Sequence, residues 1–66
     1  MDQAHLPDQL QRYRVRLGHA EVRVEGHSPH EAIQLARRQL CRELPRLWDV
    51  IQRLEDNRFH VAVEEN

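Results

Sequence analysis

Residues 12–31 read RYRVRLGHAEVRVEGHSPHE, and the first part of this stretch decides the fold. Tyr13, Val15 and Leu17 alternate with Arg12, Arg14 and Arg16; Ala20, Val22 and Val24 alternate with Glu21, Arg23 and Glu25. Alternation of period two puts one set of side chains on each face of a strand, so two such runs joined by Gly18-His19 predict a β-hairpin. A two-residue Gly-X loop predicts a type II′ turn, and that turn sets the register. Leu17 then opposes Ala20, Val15 opposes Val22, and Tyr13 opposes Val24, apolar on apolar throughout. On the other face Arg16 opposes Glu21 and Arg12 opposes Glu25, whereas Arg14 meets Arg23 with no partner across the ladder.

Working outward, Ser28-Pro29-x-Glu31 predicts a helix start: a hydroxyl N-cap, a proline whose missing N–H costs nothing at the first position, and a glutamate three residues after the cap. The helix is expected over Pro29 to about Glu43, with Ala32, Ile33, Ala36, Leu40 and Leu44 as its inner stripe and Arg37, Arg38 and Arg42 towards its negative end. An unbroken helix on to Asp56 would span roughly 42 Å, twice a short strand, so the chain has to stop or bend at Pro45. Leu47, Val50, Ile51 and Leu54 predict a second helix from about Arg46 to Glu55, in which Asp49 and Arg53 are placed for an ion pair. Phe59, Val61 and Val63 alternate with Arg58, His60 and Ala62 and predict a third strand.

The expected fold is a two-layer α+β domain, β-β-α-α-β, with a three-stranded, mainly antiparallel sheet whose central strand is the first. Its domain runs over 12–64, preceded by a mobile arm over 1–11 that carries only Leu6 and Leu10 as large apolar groups. The expected core is Tyr13, Val15, Leu17, Val22, Val24, Ile33, Ala36, Leu40, Leu44, Leu47, Ile51, Leu54, Phe59, Val61 and Val63. At 66 residues such a core is marginal alone, which makes self-association an expectation.

Composition removes several chemistries. All ten positive side chains are Arg, there is no Lys or Thr, the only Ser is Ser28 and the only Cys is Cys41. No Schiff-base or P-loop lysine is present, and no cysteine cluster can hold zinc or form a disulfide. A net charge of −1 supplies no bulk attraction to nucleic acid or membrane. No apolar run approaches the ~18 residues of a membrane span, the start of the chain has no leader pattern, and the lone thiol suits a reducing cytoplasm.

Two surfaces are candidates. Arg12, Arg14, Arg16, Arg23, Arg58 and His60 are expected on the exposed sheet face among Glu21, Glu25 and Glu64. The functional reading is an anion or nucleic-acid platform in which Arg14 and Arg23 hold a phosphate; the bland one, which carries more weight, is a solvated lattice of ion pairs without exposed aromatics. Leu35 and Trp48 fall off the main apolar stripes, so they either cover each other or meet a protein partner. His27 and His30 are split by Pro29 and the helix start, no carboxylate or thiol cluster joins them, and no metal or cofactor is expected. Cys41 lies near Arg37 and Arg42 but at the helix end that disfavours a thiolate, with no general base beside it, so no catalytic residue is assigned.

Through Val22, Val24, Ser28, Glu31, Ala32 and Ala36, residues 13–36 resemble the hairpin-then-capped-helix pattern of small DpnD/PcfM-like proteins. The resemblance implies a strand-strand-helix order and no activity. The functional expectation is a non-enzymatic module that binds protein, itself included, through a sheet edge or the Leu35/Trp48 surface, with nucleic-acid binding by the arginine face as the alternative.

Overall fold

The computed structural model describes residues 10–64. Strand β1 (Gln11–Leu17) and strand β2 (Ala20–Gly26) form the hairpin; helix α1 (Pro29–Glu43) follows, then a 3₁₀ turn (Pro45–Leu47), helix α2 (Trp48–Arg53), a second 3₁₀ turn (Asp56–Arg58) and strand β3 (His60–Val63). The order in the sheet is β2-β1-β3, both pairings are antiparallel, and β1 is central as expected. The arm expected over 1–11 lies outside the described residues as far as position 9. Gln11 already belongs to β1.

The hairpin register is the one that apolar matching demands: Leu17 with Ala20, Val15 with Val22, Tyr13 with Val24. Gly18 has φ +62° and His19 has no positive φ, the combination of signs that a type II′ turn requires and a type I′ turn does not. At the start of α1 the Ser28 hydroxyl accepts from the Glu31 N–H at 3.1 Å. The reciprocal half of the capping box is displaced by one residue. Glu31 Oε1 accepts from the His27 N–H at 2.6 Å and lies 2.9 Å from His27 Nδ1, where an ordinary capping box would reach the N–H of Ser28.

The core is smaller than the apolar pattern suggests. Tyr13, Val15, Val22, Val24, Ala32, Ala36, Leu40, Ile51 and Phe59 are buried, with Leu17, Ala20, Ile33, Leu35, Cys41, Leu54 and Val61 packed around them. Three expected core residues are instead exposed: Leu44 at 38%, Leu47 at 47% and Val63 at 48%. Leu44 takes φ −124° and ψ 67°, which ends α1 and swings Leu44 and Leu47 past the end of the sheet. Val63 opposes Tyr13 on the outer strand, beyond the cover of the six-residue α2.

The second helix and third strand are also shorter than expected. The first turn after Pro45 is 3₁₀, and α2 proper begins only at Trp48. Asp49 does not reach Arg53; its carboxylate accepts from the Val50 N–H at 2.9 Å. Before β3, Arg58 and Phe59 donate their N–H groups to Glu55 and Asp56 carbonyls, both at 3.0 Å, so a tight turn consumes the residues that alternation assigns to a strand.

Candidate functional site

The exposed sheet face is a lattice of ion pairs. Arg12 Nε lies 3.5 Å from Glu25, as the register predicts. Arg14, opposite Arg23 in the ladder, turns diagonally to Glu21 at 3.5 Å, and Arg23 reaches across β1 to Glu64 at 3.3 Å. The expected conflict between Arg14 and Arg23 is therefore resolved by two carboxylates; Glu21 opposes Arg16 as expected, but its ion pair is the diagonal one with Arg14. Arg16 and His60 are opposed on this face. Arg58 is not part of it, because the 3₁₀ turn carries it to the end of the sheet. Charges of both signs thus alternate over the surface that an anion platform would need.

Leu35 and Trp48 occupy different places. Leu35 is half-buried and packed against the core, a position its offset from the inner stripe of α1 had suggested was open. Trp48 is 55% exposed and its carbonyl accepts from the Cys41 thiol at 3.5 Å, so the backbone of α2, not the indole, meets that flank of α1. The two turn histidines diverge: His27 goes to Glu31, and His30 lies 3.7 Å from Asp56. Among the described residues no three His, Cys, Asp or Glu side chains gather.

The junction between the helices depends on Arg37, whose role the sequence pattern misassigned to the α1 dipole. One guanidinium nitrogen donates to the Ile51 and Leu54 carbonyls at 2.6 and 2.7 Å and more weakly to Gln52 at 3.3 Å. The other donates to Asp56 at 2.7 Å, and the group lies 4.7 Å from the centre of the Phe59 ring. Its side chain is only 13% exposed. One residue of α1 thus caps the end of α2, holds the second 3₁₀ turn, and covers a core aromatic.

With α2 pinned there, its outer side and the end of the sheet enclose a groove of about 660 Å³. Leu17, Gly18 and Ala20 come from the hairpin, Leu44 from the end of α1, Leu47 from the first 3₁₀ turn, and Val50, Ile51 and Leu54 from α2 and its C-cap; Asn57, Arg58 and His60 complete the lining. Leu44, Leu47 and Val50 are 38%, 47% and 51% exposed, an apolar concentration uncommon on so small a surface. The lining contains Arg58 and His60 but no carboxylate. Periodicity could not locate this site, since its walls come from segments separated along the chain; the only signal was the surplus of Leu and Val after Pro45.

No protein-family model matches the chain, and no curated protein or solved structure does.

Proposed function

We propose that the chain is a non-catalytic, cytoplasmic protein-interaction module whose groove takes an amphipathic segment carrying a carboxylate. The observation that carries this reading is the pairing of exposed Leu44, Leu47 and Val50 with a polar rim of Arg58, His60 and Asn57 that lacks negative charge. Apolar side chains of a bound segment would displace water from the leucines, and a carboxylate at its end would meet the Arg58 fork. The lone thiol, Cys41, is compatible with a reducing compartment.

Selection of displayed peptides against the full chain tests this. Selected sequences should combine two or more apolar residues with Asp or Glu, and should alter the emission of Trp48, which neighbours the groove residue Leu47. Leu47→Ser and Val50→Ser should each weaken binding by about tenfold, the equivalent of losing one buried aliphatic contact. Folded variants that bind the selected peptides as tightly as the original chain would overturn the proposal. Binding that appears only after residues 1–9 are deleted would overturn it too, by assigning the groove to the chain's own N-terminal segment.

A further inference from the structure

The second unsatisfied surface is the outer edge of β2. Among the described residues no strand pairs with it, and it is long and regular: seven residues in uninterrupted register with β1, with no proline and no bulge. Edges of monomeric sheets are usually blunted by such devices or by lysine, of which this chain has none. Because the two-residue turn makes Leu17 and Ala20 a hydrogen-bonded pair, Ala20, Val22, Val24 and Gly26 turn their backbone groups towards β1. Glu21, Arg23 and Glu25 turn theirs outward. The same alternation on β1 sends Arg12 to the opposite side, where its carbonyl accepts from the Glu64 N–H at 2.8 Å.

We infer that this edge pairs with the β2 edge of a second copy, antiparallel, with the two-fold axis at Val24. Charge selects the register. An axis at Arg23 would set Arg23 against Arg23 and Glu21 against Glu25, three like-charge contacts. An axis at Val24 sets Arg23 against Glu25 twice. These two side chains are 68% and 57% exposed; Arg12, the present partner of Glu25, is 67% exposed and Glu64, that of Arg23, 24%, so the exchange costs little at Glu25 and more at Glu64.

The helix layer separates this register from the one centred on Val22, which would match Glu21 with Arg23. Glu31, Leu35, Gln39 and Glu43 form one row along α1. Gln39 and Glu43 border a surface depression with Glu21, Val22 and Arg23, so this row overhangs the β2 edge. Gly26 lies under the first turn of α1, where an added Cβ would come within 3.6 Å of the Ala32 amide nitrogen. Stepping back about 6.6 Å to Val24 corresponds to roughly four residues of α1, which brings Leu35 to the level of the axis. There Leu35 meets Leu35 of the second copy, and Gln39 meets Glu31. An axis at Val22 would shift the row by the same four residues, setting Gln39 against Gln39 and burying Leu35 against Glu43 instead. α1 packs mainly on β2 and less on β1, so pairing of the two β2 edges would place the two α1 helices side by side as packing neighbours.

Sedimentation and amide exchange on the full chain test the pairing. The chain should dimerise, and the outward amides of Glu21, Arg23 and Glu25 should gain protection as its concentration rises. Arg23→Glu and Glu25→Arg should each weaken the dimer by about tenfold or more, since each replaces two attractive contacts by two repulsive ones. Mixed in equal amounts, they should form a heterodimer, because every contact is again between opposite charges. A chain that stays monomeric at millimolar concentration would overturn the inference. So would a Glu25→Arg dimer as tight as the original, the result expected of an axis at Val22, or a tighter one, expected of an axis at Arg23, where residue 25 faces Glu21. Exchange protection of the Val22 and Val24 amides reports whether each variant has kept its hairpin.

Discussion

The guanidinium of Arg37 directs its donors at carbonyls at the end of α2: those of Gln52 and Leu54, and that of Ile51, which otherwise accepts only a long 3.3 Å bond from the Leu54 N–H. A helix ends with carbonyls that have no intrahelical partner, and a six-residue helix has too few internal bonds to persist without tertiary support. Arg37→Met keeps the aliphatic stem but removes the fork; it should lower stability by about 2–3 kcal/mol in urea titrations, with exchange protection lost first in α2. Arg37→Lys should recover only part of this, because an ammonium cannot serve carbonyls and the Asp56 carboxylate in one plane. Glu31 sets an acid limb. The hydrogen bond from the His27 N–H, then the one with the His27 ring, hold its carboxyl below the usual glutamate value of 4.5, more than its modest desolvation raises it. A lowered folded-state value means that this contribution is complete above pH 4.5 and is lost as pH falls through the lowered value. Glu31→Gln should therefore flatten the acid side of a stability–pH profile and leave stability near pH 7 lower than that of the original chain.

At the scale of the element, α1 is the best specified and α2 the least. Ser28 and Pro29 start α1 where the sequence says it should start, and Ser28→Ala should cost about 1 kcal/mol in thermal or urea unfolding, Ser28→Gly only a few tenths. Pro45 correctly announces a break. What it does not announce is the 3₁₀ geometry on either side of α2, because such turns depend on local carbonyl partners, as at Leu44–Leu47 and Glu55–Arg58, and not on apolar spacing. The third strand loses Arg58 and Phe59 for the same reason, although Phe59 remains buried.

For the whole molecule, the near-zero net charge proves to be a matter of pairing: Arg12, Arg14 and Arg23 each have a carboxylate on the sheet face. Two surfaces remain uncovered among the described residues: the apolar groove with its Arg58 rim and the outer edge of β2. The groove lies at the hairpin-tip end, and the inferred β2 pairing is centred on Val24 towards the other end. A dimer would therefore present two open grooves, and peptide binding should saturate at one peptide per chain whether the chain is paired or single, as calorimetry below and above the dimer concentration would read.

Sequence alone determined the hairpin, its register, the start of α1, the break at Pro45 and the α+β class, because each follows from backbone geometry or period-two and capping chemistry within a few neighbouring residues. Tertiary structure alone decided which leucines remain outside, where Arg37 points and how Arg14 and Arg23 are neutralised. Those outcomes depend on how the end of α1, the short α2 and the end of the sheet meet, and residues as distant along the chain as Leu17 and His60 take part in that meeting.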